Sequence, residues 1–132
     1  MANSIYPKFK QALLSGQVDL TSSPVKAVLI DLADYVWAST HEFLSDIPVV
    51  AREEISPALG SKTVTDGVFT SASTSWAAAS GDPCEALALF IDTGTASTSR
   101  LIAFWDSVSG LPVILNGGQV NLTAPAGGWF AL

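Results

Sequence analysis

Short hydrophobic runs separated by polar and turn residues are clearest between residues 85 and 123. Set on a strand, Ala86, Ala88 and Phe90 fall on one side, and Leu87, Leu89 and Ile91 on the other. A second run places Leu101, Ala103 and Trp105 opposite Ile102 and Phe104, and shorter apolar runs follow at 111–115 and 119–123. The runs end in Gly, Asn, Asp or Ser, with turn signals at Ser109, Gly110 and at Asn116, Gly117, Gly118. Asn and Gly tolerate the positive φ of a tight hairpin, so the stretch predicts a β-meander of antiparallel strands. Neither side of its two central strands is polar. Such strands need cover on both faces, from a second layer of their own domain or from another subunit.

The remaining elements follow by the same reading. Pro24 introduces a β-branched strand over 25–32, and two further strands are predicted over 49–56 and 62–69, separated by a turn at Pro57, Ala58, Leu59 and Gly60. Residues 70–80 are small side chains around Trp76, and Gly127, Gly128 turn the chain before a closing strand at Trp129 and Phe130. Pro7 at a first helical position, apolar Phe9, Ala12 and Leu13, and Gly16 as a stop predict a short helix over 6–14, with strand the alternative. A second short helix is predicted near 40–45, capped by Ser39 or Thr40 and ended by Pro48. Residues 1–16 thus read as a segment capping the core or as an arm reaching a neighbouring subunit. With no internal repeat and no domain boundary, residues 1–132 form one mainly β domain, an antiparallel β-sandwich or flattened barrel with one or two short helices.

Composition narrows the function. In 132 residues, 48% are apolar and only 14% charged, with a mean hydropathy of +0.40. No apolar run approaches the roughly 18 residues of a membrane span, and the N-terminus lacks the apolar stretch of a signal peptide. The surplus is therefore assigned to contacts between subunits rather than to lipid. Six Lys and Arg against twelve Asp and Glu give a net charge of −6 and a pI near 4.4. Phosphate contacts need clustered cations, so nucleic acid is not an expected partner. Cys84 is alone and cannot form an internal disulfide; it reads as a buried, inert thiol, consistent with a reducing cytoplasm.

Candidate chemistry is sparse. The single histidine, His41, stands beside Glu42 in a loop, no Gly-x-Ser-x-Gly pattern accompanies it, and a polar packing role outweighs a triad. Asp31, Asp34, Asp92 and Asp106 fall at strand ends, where Asp bonds to nearby backbone, without His or Cys ligand spacing or a calcium loop. No catalytic, cofactor or metal residues are expected. Asn121, Leu122, Thr123 match a glycosylation sequon, idle without a secretory signal. Trp37, Trp76, Trp105 and Trp129 read as core and interface anchors, with a sugar-stacking face as the alternative. The residues expected at subunit or capsid contacts are Ile5, Tyr6, Phe9, Trp37, Phe43, Trp105, Trp129 and Phe130.

The chain also resembles a family of small tailed-bacteriophage virion proteins. The likeness runs through Lys26, Ala27, Val28, Leu29, Ile30, Asp31, then Tyr35 and the stretch from His41 to Pro48, then Ala51, Arg52, Leu59, Lys62, Thr63, Val64, Gly67, Val68 and Phe69. It continues through Phe90, Ile91, Asp92, Thr93, Gly94, Ser99, Leu101, Ile102, Ala103, Asp106, Gly110, Leu111, Pro112, Val113 and Asn116, Gly117, Gly118. Arg100 stands where such proteins usually carry proline. The resemblance implies a capsid decoration, or cement, protein, made in the host cytoplasm and bound as a homotrimer to the outside of the expanded head. Its partners would be the major capsid protein and itself. A tail or fibre component that binds a glycan or receptor is the alternative, and a small hydrolase is disfavoured by the thin catalytic inventory.

Overall fold

A computed structural model describes residues 4–107 and 111–131. In chain order its strands are β1 (Ser4–Ile5), β2 (Val25–Ile30), β3 (Arg52–Ile55), β4 (Thr63–Thr65), β5 (Val68–Thr70), β6 (Thr74–Trp76), β7 (Ala86–Ile91), β8 (Leu101–Trp105), β9 (Val120–Leu122) and β10 (Phe130–Ala131). A helix, α1 (Pro7–Leu14), follows β1. The central pairing joins β2 and β7 antiparallel along their whole length, from Val25 opposite Ile91 to Ile30 opposite Ala86. Around it the main sheet runs β1-β8-β7-β2-β3, and two smaller sheets run β10-β5-β4 and β6-β9. All described pairings between strands are antiparallel. Among the described residues no helix is long and apolar enough to cross a membrane.

The register assigns the side chains to two faces. Val25, Ala27, Leu29, Leu87, Leu89, Ala103, Trp105 and Ile5 share one; Val28, Ile30, Ala86, Ala88, Phe90 and Phe104 share the other. The first face is covered by α1 and the small sheets. Phe9 meets Phe130 edge-on at 6.2 Å, Phe130 lies 5.5 Å from Phe69, and Trp129 lies 6.1 Å from Trp105. The second face is covered by the coil over 31–51, where Tyr35 packs on Phe104 at 6.1 Å. That coil is fastened by backbone bonds from Leu44 N to Ser99 O and from Ser45 N to Ala96 O, at 2.7 and 3.1 Å. Tyr35, Leu44, Ile47 and Ala51 are buried beneath it in the same continuous core as the strands. The two apolar faces are thus covered by this chain itself, each large enclosed side chain contributing about 1.5–3 kcal/mol.

Several expected elements differ. The meander stops after β8, because the free side of β8 is taken by β1, with Ser4 opposite Phe104, rather than by residues 111–115. That run makes one bridge, Val113 to Cys84, and Pro112 beside it has no N–H with which to extend a ladder. Residues 119–123 yield β9, which pairs with β6 from the small-residue segment. The turn expected at Ser109 and Gly110 lies outside the described residues. The strand expected over 62–69 is instead a hairpin, β4 to β5, turning at Asp66 and Gly67 with φ of 52° and 79°. Asp-Gly suits such a turn because both residues accept positive φ.

The strand expected over 49–56 begins with a 3-10 turn, Val49–Ala51, leaving β3 shorter. The helix expected near 40–45 is another such turn, Leu44–Asp46. Its cap is Asp46, whose carboxylate accepts from the N–H groups of Glu42 and Phe43 at 2.8 and 3.0 Å, not Ser39 or Thr40. The first helix does form, with Pro7 in its first turn, and the chain closes with β10 on β5.

Gly128 makes that closure close-fitting. Its φ is +90°, and a Cβ there would stand 2.4 Å from Val68 Cγ1 and 2.9 Å from Phe69 O. Gly128→Ala is expected to lower unfolding stability by more than about 1 kcal/mol, read as a reduced urea midpoint with an unchanged slope. A midpoint equal to that of the parent protein would contradict this account of the β10–β5 contact.

Candidate interface around Trp105 and Trp129

Four of the residues expected at contacts come together at one end of the main sheet. Ile5 lies opposite Ala103, Trp105 ends β8, and Trp129 leads into Phe130 of β10. Trp129 is held by both ends of its polar inventory: its backbone N–H donates to Phe69 O and its Nε1–H to Ser71 Oγ, each at 2.7 Å. The indole is therefore fixed as a wall, with its one side-chain donor satisfied. Trp105 is half-buried and tilted 57° against it. A groove of about 440 Å³ opens between them, lined also by Leu87, Asn121, Leu122, Thr123 and Pro125. A smaller hollow of about 170 Å³ lies on the other side of Trp105, lined by Ser4, Ile5, Ala103 and Phe130. Among the described residues no charged side chain lines either one.

The other expected contact residues are elsewhere. Tyr6 and Phe9 are wholly enclosed by their own domain, so they are core residues and not anchors on a free arm. The reason is β1: Ser4 and Ile5 pair with β8, Tyr6 N–H donates to Ile102 O at 3.0 Å, and α1 then lies against β8. Trp37 is half-buried and stacks on Tyr6 at 5.9 Å. Phe43 lies under the Arg100 guanidinium, 5.1 Å from ring centroid to Cζ, and Arg100 also pairs with Glu42 at 3.0 Å. Arg100 thus ties the coil over 31–51 to the start of β8.

His41 belongs to a hydrogen-bonded chain. Its Nδ1 lies 2.8 Å from Tyr35 Oη, which lies 2.8 Å from Tyr6 Oη. No serine hydroxyl bonds to the imidazole among the described residues. Burial pushes the Tyr6 phenol far above its ordinary range, with the charge and hydrogen bond of Tyr35 and the charge of Asp46 adding to it. Burial also raises Tyr35 to about 12, opposed by its bond with Tyr6. Both phenols stay neutral. Burial acts to raise Asp46, but the N–H groups of Glu42 and Phe43, with the His41 charge, hold it below the usual carboxylate range.

Carboxylates at strand ends bond to backbone as expected at Asp31, which accepts from Ala33 N–H at 2.9 Å, and at Asp92, which accepts from Gly94 N–H at 3.0 Å and pairs with Lys26 at 2.8 Å. An arrangement the sequence does not announce is the meeting of Asp31, Glu53 and Asp82, whose carboxylate oxygens lie within 4.8 Å of one another. Glu53 accepts from Asp82 N–H at 3.1 Å, so backbone donors offset part of the repulsion. Pairing with these residues arises from tertiary approach across 51 positions of chain, which no local spacing encodes. Asn121, Thr123 and Pro125 of the groove were equally invisible, their only local signal being a sequon.

No protein-family model matches the chain, and no curated protein sequence matches it.

Cys84 is buried beside the acidic group, and burial, followed by the charges of Glu53, Glu85, Asp31 and Asp82, pushes its thiol up to about 12. The thiolate is the nucleophile, so at pH 8 native Cys84 is expected to resist a disulfide reagent and to react promptly in denaturant. Prompt reaction of the folded protein, followed by thiol titration, would contradict the environment described.

Proposed function

We propose that this protein is a tailed-bacteriophage virion component, a decoration protein that binds the outer surface of the expanded head and stabilises it. The observation that carries the reading is the half-exposed Trp105 standing between two uncharged hollows, on a domain that has already covered both faces of its main sheet. An apolar anchor left over after the core is complete has a partner as its natural use. The partners are the major capsid protein and other copies of this chain, as a trimer. The sequence resemblance supports this reading, and the net charge of −6 suits an outer shell better than a surface facing DNA.

The mechanism is binding alone. Apolar surface buried at about 25 cal/mol per Å² stabilises each contact, and the effect is repeated at every lattice position. A second reading draws on the same groove. Asn121 and Thr123 place neutral hydrogen-bonding groups beside the Trp105 ring, an arrangement that also suits a sugar ring in a tail or fibre protein.

Trp105→Ala, compared with Leu14→Ala at a 91% exposed position on α1, separates the readings. Titrated onto expanded heads, the tryptophan variant is expected to bind at least about 30-fold more weakly, as befits an anchor worth about 2 kcal/mol, while the leucine variant binds like the parent. Full binding by Trp105→Ala would remove the groove from the docking surface. Failure of the parent protein to bind heads, with tryptophan quenching by oligosaccharide, would favour the tail reading.

A further inference from the structure

We infer that Tyr6, Tyr35 and His41 form a pH-sensitive latch, a hydrogen-bond chain of fixed polarity that holds the coil over 31–51 on the main sheet while the imidazole is neutral. The geometry has two links, each 2.8 Å, and joins three parts of the chain: the junction of β1 and α1, the start of the coil, and its middle. Tyr6 is wholly enclosed, and Tyr35 is the hydrogen-bond partner of its hydroxyl among the described residues. Tyr6 O–H must therefore donate to Tyr35, because a buried hydroxyl hydrogen without an acceptor is costly. Tyr35 O–H is then committed to His41 Nδ1, which must be an unprotonated acceptor. The chain selects the neutral imidazole with its hydrogen on Nε2.

Adding a proton to His41 reverses the last link. Nδ1 becomes a donor, and whether Tyr35 turns its own hydrogen toward Tyr6 or goes on accepting from Tyr6 as well, one of the two phenol hydrogens loses its acceptor in the chain. The charged groups around the imidazole decide where the cation goes. Asp46, on the coil, attracts it; Glu42 is paired with Arg100; Asp106 lines the same small hollow as Tyr35 and Trp37. From the sheet, β8 presents uncharged Phe104, and the β1 to α1 junction presents uncharged Tyr6. Asp46, whose charge also acts on Tyr6 and Tyr35, favours the imidazolium, and the phenol hydrogen left without an acceptor weakens the link.

The sign of the effect follows from proton binding. The latched form binds one proton fewer than the released form, so its advantage diminishes as pH is lowered. Asp46 is held below the usual carboxylate range and stays charged in mild acid. Release would loosen the coil where Leu44 and Ser45 donate to Ser99 and Ala96, and would uncover the Phe104 side of the sheet. Val36, already 82% exposed, and Trp37 beside it lie on the part that moves.

The test compares the parent protein with His41→Gln and Tyr35→Phe by amide hydrogen exchange at Leu44 and Ser45, at pH 7.5 and 5.5, corrected for intrinsic rates. The parent is expected to lose protection at least about tenfold on acidification. Glutamine can accept from Tyr35 and does not titrate, so His41→Gln should keep its protection at both pH values. Tyr35→Phe should be poorly protected already at pH 7.5 and indifferent to pH; should it fail to fold, the glutamine variant still decides. Equal protection of the parent at both pH values, or the parent's full pH dependence persisting in His41→Gln, would overturn the latch. So would nitrogen chemical shifts showing the neutral His41 hydrogen on Nδ1.

Discussion

The antiparallel contact of β2 with β7 sets the terms for everything around it. Six residues of each strand face one another without interruption, and the side chains on both surfaces of that ribbon are apolar apart from Lys26, which reaches Asp92 at the edge. A two-strand ribbon of this kind has no water-compatible side, so it is stable only when covered twice. The chain solves this asymmetrically. One surface receives regular structure, a helix and two small sheets whose aromatic residues interlock. The other receives an irregular coil, whose backbone groups must then find partners one at a time, from Leu44 to Ser99 and from Ser45 to Ala96. The polar machinery of the protein is concentrated in that coil for this reason: Asp46 capping a turn, Arg100 over Phe43, and the phenols meeting His41.

What was legible in the sequence is what local alternation can carry. Residues 86–91 and 101–105 read correctly as adjacent strands, and Pro7 with Gly16 marked the helix. Partner choice was not legible, because it depends on which distant segment reaches an open edge first. The run at 111–115 has strand composition, yet β1 occupies the position beside β8 that the meander would have given it. The hairpin between β4 and β5 was readable from Asp66 and Gly67, a turn dipeptide inside the stretch expected to be one strand.

The same distinction governs the candidate interface. Tyr6 and Phe9 have the composition of an exposed arm, and nothing within ten residues of them says that β8 will enclose them. Trp105 and Trp129 stand out in the sequence as large aromatic residues, while their meeting with Asn121 and Thr123 required the fold. The acidic group of Asp31, Glu53 and Asp82 is a third case. Burial, which the sequence already suggested for Cys84, raises its thiol most, and the charges of Glu53 and Asp31, distant in sequence, add to it.

The pairing of Ser4 with Phe104 has a consequence for how the protein is made. The two residues are separated by most of the chain, so the N-terminal segment leaves the ribosome long before its strand partner exists. During that interval Tyr6 and Phe9 are exposed aromatic side chains on a nascent polypeptide, while β2, β3 and β7 can already assemble behind them. The sheet is then closed at its far edge last, by a strand synthesised before β2, β3, β7 and β8, and an unfinished chain presents the open side of β8's neighbours to any other copy nearby.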